Sequence, residues 1–151
     1  DVIGAPALAA SSSEQGRLAA RHAFDVDCPP FSKLFPYGIY TIPEISSVGA
    51  QETDLIKDHI PYVIGRARYS ELARGQILGD EHGLLKILVS KENHKILGVH
   101  ILGTGATELI HIGQTAMHFE GTIEFFVSNI FNYPTLAEAY KVAALNAQNQ
   151  L

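Results

Sequence analysis

The chain has one cysteine, Cys28, in 151 residues. A lone cysteine excludes an intrachain disulfide and a cysteine-based zinc centre. Cys28 stands beside Pro29 with no neighbouring cation to lower its pKa, so it reads as inert. Positive charge is also in short supply. Lys and Arg number 11 against 16 Asp and Glu, for a net charge of −5 and a pI near 5.7. That balance gives no electrostatic footprint for nucleic acid or an anionic membrane. No apolar run reaches the roughly eighteen residues needed to cross a bilayer, and no signal-peptide pattern opens the chain. The expectation is a soluble cytoplasmic protein with no nucleic-acid or membrane partner.

Several site patterns are absent or incomplete. No serine sits in G-x-S-x-G, so no serine triad can be proposed. Gly103-Thr104-Gly105 lies between a predicted strand and a predicted helix, as a phosphate loop does, but Glu108 stands where the third glycine of G-x-G-x-x-G belongs. A carboxylate there opposes phosphate binding, and a tight turn with Thr104 or Gly105 as helix cap is the expected reading. Glu108-x-x-His111 is half of a di-iron carboxylate motif with no second copy. His118 lies seven residues beyond His111 on the same helix face, and two histidines without a third ligand do not make a metal site. No metal is expected; an interface on that helix face accounts for the pair better.

What is present is ordinary for a globular protein, with 46% hydrophobic and 18% charged residues. At this length one domain can bury roughly 70% of its unfolded surface. Residues 6–24 read as a helix, with Pro6 in its first turn, where a missing N–H costs nothing. Residue 1 is Asp and the helical pattern begins almost at once, so a piece of a longer chain is expected. Pro29, Pro30 and Pro36 break the pattern, making residues 25–36 a linker and the expected domain boundary.

Residues 37–49 are rich in Ile, Tyr, Thr and Val and read as extended, with Pro43 confining them to an edge or bulge. A short surface helix is expected over residues 51–59 and a strand over 62–69. The clearest hairpin joins residues 84–89 to 96–102 through the tip Lys91-Glu92-Asn93-His94. Leu85, Ile87 and Val89 alternate on one side, as do Leu97, Val99 and Ile101. Helices are predicted over residues 106–119, 123–129 and 136–149. Strands followed by helices without βαβ alternation give an α+β fold, an antiparallel sheet flanked by helices.

One segment carries more than the rest: Phe131-Asn132-Tyr133-Pro134-Thr135-Leu136-Ala137-Glu138-Ala139-Tyr140. Thr135 and Glu138 have the spacing of a capping box, Thr135 as N-cap and Glu138 as N3, just before an apolar helical run. A side-chain cap of this kind stabilises by about 1 kcal/mol. Phenols titrate near pH 10, so a phenol at position 133 is a poor general base and a reasonable hydrogen-bond donor.

Four stretches, taken together, resemble the C-terminal third of a pyridine nucleotide–disulfide oxidoreductase family member. Asp1-Val2-Ile3-Gly4 with Pro6 and Gln15-Gly16-Arg17 resembles the end of the family's FAD-binding domain. Tyr40-Thr41-Ile42-Pro43-Glu44-Ile45-Ser46-Ser47-Val48-Gly49 resembles the first strand of its dimerisation domain. Ile96-Leu97-Gly98-Val99-His100 through Gly103, Ala106 and Glu108 resembles the hairpin-to-helix passage, and the tail over 131–146 closes the set. The resemblance implies a remnant of the FAD domain at 1–24, a linker at 25–36 and a dimerisation domain over 37–151.

In the family's disulfide reductases the tail reads His-Pro-Thr-x-x-Glu, the His being the acid/base and the Glu its orienting partner. Here Tyr133 stands at the His position, while Pro134, Thr135 and Glu138 fit. The tail, together with Thr107-Glu108-Leu109-Ile110-His111-Ile112-Gly113-Gln114, is similar to members that move hydride between NADPH and NAD through FAD without a redox-active cysteine pair. Such chemistry needs no acid to protonate a leaving thiol. The resemblance places Asp1 at the flavin's ribityl chain and the backbone of Leu8 and Ala9 at its ring. Tyr133 and Glu138 fall at a homodimer interface, in packing and hydrogen bonding and not as catalytic residues. FAD, NAD and NADP belong to the full-length parent; the piece alone is expected to bind none and to be inactive. Two alternatives stay open: a disulfide or mercuric-type reductase with a drifted dyad, and a non-catalytic dimerisation module.

Overall fold

Alternating apolar residues build the sheet, and the helices bury their small residues against it. The computed structural model describes residues 1–151 and divides into two compact units, Asp1–Phe35 and Pro36–Leu151. The first unit holds one helix, α1 (Ala9–Ala23). It starts three residues later than the sequence suggests. Pro6 sits in a turn, Ala7 has a left-handed backbone, and Leu8 is the extended N-cap. A residue with positive φ cannot continue into a helix, which accounts for the displaced start.

The second unit runs β1 (Tyr37–Ile39), β2 (Ile45–Gly49), α2 (Glu52–Lys57), β3 (Tyr62–Arg68), a 3-10 turn (Tyr69–Glu71), α3 (Ala73–Leu78), β4 (Leu84–Ser90), β5 (Ile96–Leu102), α4 (Ala106–His118), α5 (Ile123–Ser128) and α6 (Glu138–Gln148). The five strands form one antiparallel sheet in the order β1-β2-β5-β4-β3. The fold is therefore α+β. Pro43 falls in the bend between β1 and β2, so the stretch expected as one strand is two. The sequence pattern does not mark the 3-10 turn or α3, which carries Gly75, a poor helix former, inside it.

Strand alternation sorts the sheet into two faces. Gly65, Ile87, Val99 and Val48 stand side by side in the register, and all are buried. Ala67, Leu85, Ile101 and Ser46 form the next buried row; the Ser46 hydroxyl donates to the Tyr37 carbonyl at 2.6 Å. The hairpin departs from simple alternation at one place. Leu88 pairs with Gly98 but Val89 pairs with Ile96, so Leu97 is skipped and Ile96 takes the buried position expected for Leu97. A bulge of one residue reverses the facing of everything beyond it.

Helices α4 and α6 cover the buried face. Ala106, Ile110, Gly113 and Ala116 make the inward stripe of α4, and Ala139, Tyr140, Ala143, Ala144 and Ala147 that of α6. The small side chains let α6 descend onto β3 until a Cβ on Gly65 would lie 2.0 Å from the Ala143 carbonyl oxygen. The two helices are also joined by a hydrogen-bonded side chain. The hydroxyl of Tyr140 accepts the Gly113 N–H at 3.1 Å and donates to the Leu109 carbonyl at 2.8 Å. Burial of Tyr140 drives its phenol well above the usual range, so it stays a neutral donor.

On the other face, Arg66, Lys86, His100 and Ser47 form one row across four strands. Glu52 reaches over from α2 to bind Lys86 at 2.7 Å and accepts the Tyr62 hydroxyl at 3.3 Å. Burial, and secondly the charge on Lys86, hold His100 below its ordinary value, while its Nε2 lies 3.1 Å from the Ala50 carbonyl.

Two outcomes test this packing. Tyr140→Phe should cost about 1 kcal/mol in urea unfolding, because it removes the hydroxyl's bonds to α4 and leaves the ring in place. Tyr140→Ala should cost about 3–5 kcal/mol through the cavity it opens. The second outcome concerns pH. A depressed histidine pKa means the unfolded chain binds the proton first, so stability from this group is complete above about pH 6.5 and falls as the pH drops toward the folded value. His100→Gln should flatten the thermal midpoint between about pH 7 and pH 5 relative to the parent.

Candidate functional site

Residues 130–137 connect α5 to α6 and carry the segment singled out in the sequence. The segment's far end is anchored by α6, whose Tyr140 ring packs on Phe126 of α5 at a centroid distance of 4.8 Å. Lys141 ties the near end, donating to the Asn129 carbonyl at 2.9 Å. Between these anchors three side-chain hydrogen bonds hold the backbone. Glu138 Oε2 accepts the Thr135 N–H at 3.2 Å, and the Thr135 hydroxyl donates to the Asn132 carbonyl at 2.7 Å. Arg74 of α3 donates from Nε to the Pro134 carbonyl at 3.2 Å.

The capping box is therefore half made. Glu138 reaches back to Thr135 as the box requires, but the Thr135 hydroxyl turns to Asn132 instead of accepting a helix N–H. Residues 136–137 form a turn and regular α6 begins at Glu138, with Ala137 as N-cap. Tyr133 has no hydrogen bond to Glu138 or to any other group of the chain, and its side chain is 75% exposed. With no hydrogen bond between Tyr133 and Glu138, the pair makes no dyad within the chain. Exposed apolar side chains occur nearby on the helical layer: Phe125, Ile130 and Leu145.

The glycine turn before α4 is closed to anions. Gly105 is the N-cap of α4 in a left-handed conformation, as only a residue without a Cβ adopts freely. The Thr104 N–H donates to Asp80 Oδ2 at 2.8 Å. The Thr107 N–H and hydroxyl both donate to Glu44 Oε2, at 3.1 and 2.7 Å. The Thr107 hydroxyl, then its N–H, lower the Glu44 carboxyl, keeping it charged. Burial pushes Asp80 up, but the N–H groups of Thr104, Gly83 and His82 bring it below its ordinary value. Two carboxylates thus occupy the donors a phosphate would use. Neither was visible in the sequence, because Glu44 lies 63 residues from Thr107 and Asp80 lies 24 from Thr104.

The remaining candidates do not converge. Glu108, His111 and His118 are all exposed on α4. His111 Nδ1 lies 2.8 Å from Gln114 Oε1, and the His118 ring meets Phe119 edge-on. His111 borders an apolar groove with Ile112, Thr115, Ala116, Phe119 and Phe125. No group of three His, Cys, Asp or Glu side chains is placed to hold a metal ion. In the first unit, the half-buried Cys28 thiol donates to the Val26 carbonyl at 3.3 Å. Leu8 is the N-cap of α1 and Ala9 its first residue; no side chain caps that end, and Ala9 and Ala10 are exposed. The Asp1 carboxylate accepts the Ser12 hydroxyl.

Comparison with known proteins assigns the fold and the family. The family model described as pyridine nucleotide-disulphide oxidoreductase, dimerisation domain, matches residues 35–144. The soluble pyridine nucleotide transhydrogenase of Mycobacterium tuberculosis (strain ATCC 25177 / H37Ra) is 60% identical over 151 residues, which is 100% of this chain and 32% of that protein. The protein of the same name from Yersinia enterocolitica is 52% identical over 155 residues, covering 100% of this chain and 33% of its own length. The chain thus spans about a third of the length of the curated relatives it matches. Among solved structures, LpdA from Mycobacterium tuberculosis superposes with a TM-score of 0.84 at 23% identity, over 98% of this chain and 32% of that one. The HOCl-induced flavoprotein disulfide reductase RclA from Escherichia coli gives 0.79 at 19% identity, over 87% of this chain and 31% of its own. At those identities the two structures show the fold alone. With a family model covering well over half its length, the chain belongs to the pyridine nucleotide-disulphide oxidoreductases, whose dimerisation domain it carries.

Proposed function

We propose that this chain is the dimerisation part, with the end of the FAD-binding domain, of a soluble pyridine nucleotide transhydrogenase that moves hydride between NADPH and NAD. The observation that carries this reading is the 60% identity, without loss of coverage, to proteins of that name. On it, residues 1–24 close the FAD-binding domain, 25–36 link, and 37–151 dimerise. Nicotinamide binding belongs to the rest of the longer protein, since these residues contain no G-x-G-x-x-G. Working in the cytoplasm as a homodimer, without nucleic acid or membrane, is in keeping with the net charge of −5 and with the lack of a helix long and apolar enough to cross a membrane.

The bare N-terminal end of α1 supports assigning Asp1, Leu8 and Ala9 to the flavin. The N-terminal end of α1 has no side-chain cap and only alanine side chains at Ala9 and Ala10, so its N–H groups can approach a planar, electron-rich ring closely. Leu8 and Ala9 would supply that backbone, and Asp1 a carboxylate acceptor for the ribityl hydroxyls. When bound, FAD supplies the hydride acceptor and donor. The chain's part is electrostatic and positional: the partial positive charge of the helix end favours electron density on the ring.

Tyr133 and Glu138 then act at the face presented to the partner subunit. Glu138 keeps the Thr135 N–H and so the start of α6, and Tyr133 supplies an exposed ring for packing. Hydride passage between two nicotinamides requires no proton carrier at this position, which agrees with a phenol that contacts no base.

The test uses the full polypeptide containing this chain. It should purify yellow and pass hydride from NADPH to an NAD analogue, and a colourless protein without this activity would overturn the proposal. Tyr133→Phe keeps the ring and should retain the rate within about threefold, whereas Tyr133→His should bring no disulfide reductase activity. That activity appearing in Tyr133→His would instead favour a reductase with a drifted dyad. For the association, light scattering of the 16.4 kDa chain at micromolar concentration should give about twice that mass. A monomer would count against the dimer.

A further inference from the structure

We propose that Arg74 is a positioning residue: by holding the Pro134 carbonyl it sets where the Tyr133 ring is presented. The inference rests on the reading above, that Tyr133 lies on the face presented to the partner subunit, and extends it to a residue that no motif marks. Of the three side-chain hydrogen bonds that hold residues 130–137, two are local, Thr135 to Glu138 and Thr135 to Asn132. The third comes from 60 residues away, and it falls on the residue next to Tyr133.

Arg74 is suited to this work because its own platform is rigid. It lies in the first turn of α3, and α3 rests directly on the 3-10 turn, where a Cβ on Gly75 would stand 2.0 Å from the Tyr69 carbonyl oxygen. Gln76 Nε2 donates to the Ser70 carbonyl at 2.9 Å, and Leu72 is buried. Tyr69 is itself fully buried, and its hydroxyl donates to the Thr104 carbonyl at the entrance to α4. A continuous set of contacts therefore runs from the α4 entrance through Tyr69 and α3 to Pro134. Arg74 takes part in none of the chain's four ion pairs. Its role in the chain is to hold a carbonyl, not to neutralise a carboxylate. Tyr133 has no bond of its own, so the placement of its ring is inherited from the backbone on either side.

The experiment uses the full flavoprotein with Arg74→Met, Arg74→Lys, Tyr133→Ala and the Arg74→Met/Tyr133→Ala double variant. Hydrogen exchange of residues 130–137 should quicken about fivefold in Arg74→Met, the factor that matches one ordinary hydrogen bond, with the rest of the chain unchanged. Its kcat should fall about tenfold with both nicotinamide KM values unchanged, as expected when a ring packed at the subunit interface is displaced. Arg74→Lys should recover most of the rate. Adding Arg74→Met to Tyr133→Ala should cost nothing further, since the two act through one position. Unchanged exchange at 130–137, or rate losses that add in full, would overturn the proposal. So would faster exchange across the whole chain with a lowered thermal midpoint, which marks general destabilisation. A wild-type protein that binds flavin but transfers no hydride defeats the proposed function separately, and the exchange measurement then decides alone whether Arg74 holds the segment.

Discussion

The hydroxyl of Tyr140, bonded to the backbone of α4, is the contact on which the helical layer depends. Packed alanines alone would let α6 slide along the sheet, because small side chains interdigitate weakly. One bidentate hydroxyl, accepting from Gly113 and donating to Leu109, fixes the axial position of α6 against α4. Gly113 makes room for it: a Cβ there would stand 2.9 Å from the Tyr140 oxygen and 2.8 Å from a Val99 methyl. Gly65 does the same on the strand side. The phenol is buried with both hydrogen-bonding roles met, so the burial of a polar atom adds specificity without an unsatisfied group. Because residues 130–137 lead straight into α6, the geometry of that segment follows from this anchor.

A second constraint decides what the domain cannot do. Helix N-termini attract anions, and the turn before α4 offers the backbone geometry for one. Glu44 and Asp80 fill it from other elements, and hydrogen bonds keep both carboxyls charged. The stabilisation that a ligand could have drawn on is used instead to bind the β1–β2 bend and the loop after α3 to the start of α4. On the proposed function this is what a dimerisation domain requires, namely a scaffold closed at its own donors, with its chemistry-bearing surface confined to one exposed segment.

How far the sequence reveals this depends on the range of each interaction. The hairpin, β3 and the three late helices follow from apolar periodicity, a local signal. Leu97 breaks the inference because a bulge depends on the pairing strand and leaves no mark in β5 itself. Thr135 and Glu138 had the right spacing for a box, yet the hydroxyl found a nearer acceptor in Asn132, a choice that spacing cannot encode. Helix α1 starts late because Ala7 takes a left-handed conformation, which nothing in an alanine predicts. Arg74, Glu44 and Asp80 act across 60, 63 and 24 residues respectively. No reading of neighbours finds such pairs.

Position 133 can accept a change of chemistry because the segment is built without its side chain. Every side-chain hydrogen bond that shapes residues 130–137 runs through Thr135, Asn132, Glu138, Pro134 and Arg74. A histidine or a phenol at 133 would leave all of them intact, since Tyr133 contributes no hydrogen bond and is mostly exposed. Glu138 shows the complementary case. Its carboxylate serves the helix start whatever stands at 133, so it persists even where no imidazole needs orienting. Structural duty and chemical duty are thus carried by different residues of one short segment. On the proposed reading, that separation lets one interface serve a family branch that moves protons as well as hydride and another that moves hydride alone.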